Sequence, residues 1–167
     1  MGLAYWVLYL ILFGTSPLIF CVSELSWTAS YIFLALRLYA DIPKEKQKEK
    51  VVFWILPVFS LAMCIFFYTR GSYFENILMG TAMGVLGYYA VKGICLAKIR
   101  NRSGKPLIFY AALFFYAAEY LLWISSYFIT ENIFVNPYYL VDILILNPAL
   151  IMIAVAQSKG DKLCCTI

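Results

Sequence analysis

The sequence contains no histidine, and charged residues make up only 13% of its 167 positions. Soluble domains carry about 25% charged residues. The absence of histidine excludes imidazole acid–base chemistry and haem ligation through histidine, and it argues against a zinc site of the usual cysteine–histidine kind. So few charges leave too little polar surface to cover a soluble domain. The lack of histidine thus excludes enzymes that depend on an imidazole, and the lack of charge excludes an ordinary soluble domain.

Sites built on cysteine or on glycine-rich loops are also missing. None of the five cysteines forms a CxxC pair, and their spacing indicates no disulfide framework. The chain has no P-loop, dinucleotide-binding fingerprint, HExxH or GxSxG motif. We therefore predict neither a metal site nor a cofactor.

What the chain has in abundance is apolar surface: 64% of its residues are hydrophobic and 19% are aromatic. Such a surface must face lipid, which predicts an integral membrane protein surrounded by membrane lipids. The net charge of +4 comes largely from basic residues in three short segments between or after apolar runs. This distribution is typical of membrane topology rather than of a nucleic-acid-binding surface, so we predict no nucleic-acid partner.

Six apolar segments approach the roughly 20 residues that a membrane-spanning helix needs. The sequence thus predicts an all-α fold, a polytopic transmembrane helical bundle of about six spans arranged as three hairpins in one domain. The first segment has neither a basic n-region nor a small-residue cleavage site, so we expect a span or uncleaved anchor there. The predicted spans cover residues 2–22, 26–40, 51–69, 76–91, 106–129 and 137–156.

The basic residues also predict an orientation. They cluster after the second span (44–50), after the fourth span (92–105) and in the tail (157–167), whereas the alternate loops hold only Arg70. Because positively charged loops stay on the cytoplasmic side, both termini and the short tail should be cytoplasmic.

Two carboxylates lie inside predicted spans. Glu119 interrupts the apolar run FFYAAEYLLW in the fifth span, and Asp142 follows Pro137 in the sixth. An ionisable group at the centre of a spanning helix costs about 2.5–3.5 kcal/mol, which makes each acid a candidate functional residue. The two spans are antiparallel, so both acids should lie in the outer half of the membrane. The alternative is a neutral Glu119 bonded to a tyrosine such as Tyr116.

The dipeptide Asn147-Pro148 predicts a break in the sixth span. Proline cannot donate to the carbonyl four residues earlier, here that of Leu144. Asn147 and this carbonyl would line a polar pocket beside Asp142; a plain structural kink is the alternative. The tyrosines near span ends, Tyr138 included, are typical of an interfacial aromatic belt.

Small residues in the fourth span predict close helix packing. Gly80 and Gly84 form a GxxxG motif, which Gly87 extends, and the contact could be intramolecular or dimeric. For the dimeric case we predict a homo- or hetero-oligomer through the Gly80/Gly84 face. Cys164 and Cys165 are candidates for lipidation, although the residues after Cys164 match a prenylation box poorly.

Three functions fit these features. The first, which we favour, is binding or moving a small or lipid-like ligand in an intramembrane cavity near Glu119, Asp142, Asn147 and Tyr116. The second is a membrane-embedded enzyme acting on a lipid or isoprenoid, with Glu119 and Asp142 as acid and base. The third is a structural subunit of a membrane complex.

Overall fold

The computed structural model describes residues 8–9, 11–14, 22–42, 49–68, 73–99, 106–128 and 136–164. All regular secondary structure in these ranges is helical, which confirms the all-α prediction. The prediction for the first span, residues 2–22, falls almost entirely outside them.

Besides the helical residues 8–9 and 11–13, the described part of the chain forms six α-helices. A short 3-10 turn precedes α2, another follows α4, and a π-helical segment joins α5 to α6. In chain order the elements are α1 (Val22–Asp41), the 3-10 turn Val51–Trp54, α2 (Ile55–Phe66), α3 (Tyr73–Ile99), α4 (Pro106–Ser125), the 3-10 turn Ser126–Phe128, α5 (Pro137–Val141), the π segment Asp142–Leu146 and α6 (Asn147–Cys164).

Three helices of the described chain are long and apolar enough to cross a membrane: Tyr73–Ala97, Leu107–Ser125 and Pro137–Ser158. They correspond to the fourth, fifth and sixth predicted spans, and they support the membrane assignment. The third predicted span is a shorter apolar helix, Val51–Phe66. The second lies in α1, which is not among the three because polar residues interrupt its apolar run. A total of six spans stays a prediction.

The chain divides into two compact units, which are described separately. The first comprises residues 1–40 and 45–88, and the second comprises residues 41–44 and 89–167. The helix α3 supplies its first part to one unit and its second part to the other. The single-domain organisation stays a prediction.

In the first unit, α1 buries only a narrow stripe. The buried positions recur at spacings of three and four, which is one face of a helix, and the other faces are largely exposed. Thr28 lies on the stripe, and its hydroxyl donates to the sulfur of Met79 in α3 at 3.7 Å. The stripe consists of Thr28, Tyr31, Ala35 and Leu38.

The contact between α2 and α3 is built on small residues. Cys64 Sγ occupies the place where a Cβ on Gly80 would lie, whereas a Cβ on Gly84 would meet Ser60 Cβ at an ordinary 3.5 Å. Gly87 is also buried. Small residues let helix backbones approach closely in lipid. These contacts lie within one chain; an oligomer through the Gly80/Gly84 face stays a prediction.

A buried asparagine closes the end of this hairpin. Asn76 Nδ2 donates to the carbonyl of Phe67 at 2.9 Å, just beyond the end of α2. The Asn76 carbonyl in turn accepts from Cys64 Sγ at 3.3 Å. A helix end leaves carbonyls without intrahelical donors, and Asn76 satisfies one of them at a buried position.

In the second unit, α4 packs against α5, the π segment and α6. Alanines without exposed surface, Ala111 and Ala112 in α4 and Ala149 in α6, allow a close approach. The second part of α3 uses Gly93 in the same way, because a Cβ there would fall on the ring of Phe109. Sequence analysis missed Gly93, which lies outside the GxxxG pattern and is identified only by its neighbour.

Candidate functional site

Glu119 lies on α4 at the border between the buried and exposed faces. Its neighbours in the chain alternate accordingly: Ala118 and Tyr120 are buried, whereas Ala117 and Leu121 are exposed. The carboxylate position is half-buried. A side chain at this border can interact with neighbouring helices and also be reached from the surface of the bundle.

The tyrosine predicted as a partner of Glu119 is buried and takes part in ring packing. Tyr116 is only 4% exposed, and its ring meets that of Tyr120 edge to face, with centroids 4.9 Å apart. Tyr120 continues the aromatic contact to Trp123 at 5.9 Å. A ligand-binding role for Tyr116 stays a prediction.

Asp142 begins the π segment and is half-buried. Its backbone N–H donates to the carbonyls of Tyr138 and Tyr139 at the end of α5. Tyr138 precedes it by four residues, and residues at this spacing lie on the same helix face. The aspartate carboxylate and the Tyr138 phenol therefore share a face.

Tyr138 connects the two acids. Its side chain interacts electrostatically with the carboxylates of both Asp142 and Glu119. Glu119 and Asp142, which the sequence placed at similar depths in adjacent spans, thus both act electrostatically on one phenol. The sequence assigned Tyr138 to an interfacial belt and missed this position. The signal that identifies it is the four-residue spacing from Asp142.

The start of α5 holds Tyr138 in place. Asn136 is buried, and its side-chain oxygen accepts from the Tyr138 backbone N–H at 3.0 Å. The Asn136 carbonyl also accepts from Leu140 N–H at 3.2 Å. Pro137 occupies the first turn, where its missing N–H costs no hydrogen bond. This helix start fixes the backbone that carries Tyr138 and Asp142.

The predicted break at Pro148 takes the form of the π segment Asp142–Leu146. Because Pro148 cannot donate to the carbonyl four residues back, hydrogen bonding changes to a five-residue step at this point. Asn147 shows this five-residue step, because its backbone N–H donates to the Asp142 carbonyl. Its side-chain Nδ2 donates to the same carbonyl at 3.2 Å. Isolated π turns recur at functional sites. Direct ligand binding by Asn147 stays a prediction.

The remaining predicted site residues of this unit are the two C-terminal cysteines. Cys164 is the last residue of α6, and Cys165 is outside the described residues. Lipidation of either cysteine stays a prediction. Within the described ranges, no three cysteine or acidic side chains lie together in a way that would hold a metal ion.

No protein-family model matches the chain, and no curated protein or solved structure matches it either. Function must therefore be argued from the site itself.

Proposed function

We propose that this membrane protein binds an amphiphilic ligand with a positively charged headgroup, and that Glu119, Tyr138 and Asp142 hold that headgroup. The observation that carries the proposal is the electrostatic interaction of one phenol, Tyr138, with two carboxylates from different helices. A convergence of acceptors and a phenol suits an ammonium group, because the charged donor forms strong hydrogen bonds with carboxylates.

The charge of the surrounding segment supports a cationic headgroup. Residues 106–158 contain three acids, Glu119, Glu131 and Asp142, and no lysine, arginine or histidine. In a membrane, carboxylates are stabilised by protonation or by positive charge. Because residues 106–158 carry only acidic charges, they attract a cationic headgroup and repel an anionic one.

The apolar surroundings support a ligand with a hydrocarbon tail. Leu140 precedes Asp142, and Ile143 and Leu144 follow it; all three side chains are exposed on the outside of the bundle. A headgroup at Asp142 would leave its tail along this apolar surface, where lipid chains also lie. A lipid-like amine therefore fits better than a small hydrophilic cation.

Saturable binding of dodecylamine to the purified protein in phosphatidylcholine nanodiscs, corrected for empty nanodiscs, tests the proposal. Dodecanol, which has the same tail and no charge, is the matched control ligand. Glu119→Gln and Asp142→Asn should each weaken dodecylamine binding by about 10- to 100-fold, since a hydrogen bond to a charged group contributes about 1.5–3 kcal/mol. Glu75→Gln, at a half-buried acid in the first turn of α3, should leave binding unchanged.

Equal saturable binding of dodecanol would contradict the cationic headgroup. Unchanged dodecylamine binding in both acid variants would contradict the proposal that Glu119 and Asp142 hold the headgroup. Circular dichroism of each variant checks that its helix content is preserved, because a variant that has lost its helices reports on folding rather than on the ligand.

A further inference from the structure

The last span is far more exposed than the other two membrane-length helices. Only 11% of the Pro137–Ser158 window is buried, against 44% for each of the other two windows. Its exposed side chains are mainly aliphatic, as Ile143, Leu144 and Ile151 illustrate, and each of these is more than 60% exposed. An aliphatic surface of this kind is compatible with lipid or with another helix.

One residue on this surface is unsuited to lipid. Asn147 is exposed near the middle of the span. Its side chain makes a single hydrogen bond within the described residues, from Nδ2 to the Asp142 carbonyl. An asparagine amide has two N–H groups and an oxygen with two lone pairs, so most of its hydrogen-bonding capacity is not used within the described residues. Burying such a group in hydrocarbon without a partner costs roughly 2–7 kcal/mol.

A second copy of the chain can supply the missing partner. All copies of a membrane protein share one orientation, so a two-fold axis along the membrane normal places Asn147 of one copy opposite Asn147 of the other. The amide is both donor and acceptor, and two such amides can bond reciprocally. Two-fold symmetry guarantees that a second copy presents the same amide at the same depth, whereas symmetry gives no such guarantee for a different protein.

The helix beyond Asn147 has the pattern of a helix–helix seam. Exposed residues follow it at spacings of four, three and four, the spacing by which two helices interlock along a shared seam. Ala154 and Ser158 are small and permit a close approach, and no charged residue lies on the seam. The members are Asn147, Ile151, Ala154 and Ser158.

We propose that two copies of this chain associate in the membrane through the α6 seam of Asn147, Ile151, Ala154 and Ser158, with the two Asn147 amides hydrogen-bonded to each other. This interface differs from the Gly80/Gly84 face, which α2 already covers within the chain. It is also independent of the proposed ligand, because the seam does not include Glu119, Tyr138 or Asp142.

Fluorescence energy transfer between labelled full-length copies in phosphatidylcholine liposomes, over a series of protein-to-lipid ratios, measures the association. Asn147→Leu should weaken it by about 3- to 30-fold, the range expected for one interhelical polar contact in a bilayer. Asn147→Gln keeps the amide and should retain most of the association. A monomer at all ratios, or equal association of Asn147→Leu and wild type, overturns the proposal.

Since Asn147 also contacts the Asp142 carbonyl, a second measurement avoids changing it. In a chain whose native cysteines are replaced by alanine, Ile151→Cys should form an oxidative cross-link between two copies. Leu121→Cys is the matched control, because Leu121 is an exposed aliphatic residue on α4, outside the seam. Cross-linking at 151 and not at 121 supports the seam; equal cross-linking at both positions, or none at 151, overturns it.

Discussion

At the scale of single residues, the chain uses side chains in ways that their type alone does not indicate. Tyr138 resembles an interfacial tyrosine, yet it interacts with two carboxylates. Asn76 satisfies the carbonyl of Phe67 at a buried helix end. Gly80 and Gly84 belong to one motif but differ in their surroundings, because only Gly80 faces a sulfur at the position of a Cβ.

This difference predicts unequal effects of two alanine substitutions. Gly80→Ala should lower the free energy of unfolding by about 1–3 kcal/mol, as inserted methyl groups in packed interiors do. Adding Cys64→Ala removes the sulfur and should restore most of the loss. Gly84→Ala, with room for its methyl group, should change the free energy by less than about 1 kcal/mol. Unfolding by SDS titration in mixed micelles measures all of these variants; equal losses at 80 and 84 would contradict the packing.

At the scale of elements, the π segment joins two helices that have different roles. The α5 helix carries Tyr138 and leads into Asp142, whereas α6 carries the exposed seam that begins at Asn147. A five-residue hydrogen-bonding step rotates one helix relative to the other. The position of half-buried Asp142 relative to exposed Asn147 therefore depends on this segment.

Replacing the proline should therefore improve stability and impair binding. Pro148→Ala restores a backbone donor and lets an α-helix continue, so the free energy of unfolding should rise by about 1–3 kcal/mol. Regular α-helix would rotate Asp142 relative to α6, and dodecylamine binding should weaken several-fold. Pro137→Ala is the control, because proline in a first turn breaks no hydrogen bond. A stabilised Pro148→Ala variant with unchanged binding would show that the π segment does not position the site.

At the scale of the whole molecule, membrane insertion rests on three helices of sufficient length. The positive-inside pattern also predicts on which side of the membrane each connection lies. The predicted side of the membrane depends on the charge of two connections. They are residues 100–105, before α4, and residues 129–135, after the 3-10 turn that follows α4. One contains Arg100, Arg102 and Lys105, and the other contains Glu131 and no basic residue.

Thiol labelling tests the resulting topology. In a chain whose native cysteines are replaced by alanine, Ser103→Cys should react with a membrane-impermeant maleimide only after permeabilisation. Thr130→Cys should react in intact cells, because it lies in the predicted outer connection. The tripeptide Asn101-Arg102-Ser103 matches the N-glycosylation sequon and gives an independent check, since a cytoplasmic position receives no glycan. Labelling of Ser103→Cys in intact cells would reverse the predicted orientation.

The sequence by itself determined the predicted class of the protein and its main candidate functional residues. Its scarcity of charge and its long apolar runs predict lipid surroundings and an all-helical fold, because a helix satisfies its backbone groups within one segment in a bilayer. It also singled out Glu119 and Asp142, whose ionisable groups are expensive at that depth. These inferences depend only on composition and local spacing.

Tertiary structure alone decided which residues meet. The interaction of Tyr138 with Glu119, the contact of Gly93 with Phe109 and the fit of Cys64 over Gly80 all join positions from different helices. Helix rotation decides such contacts, and the π segment before Pro148 alters that rotation in a way that periodicity does not register. The physical reason is that spacing along one helix defines its faces, whereas packing decides which face meets a neighbour and which one, like that of Asn147, remains exposed.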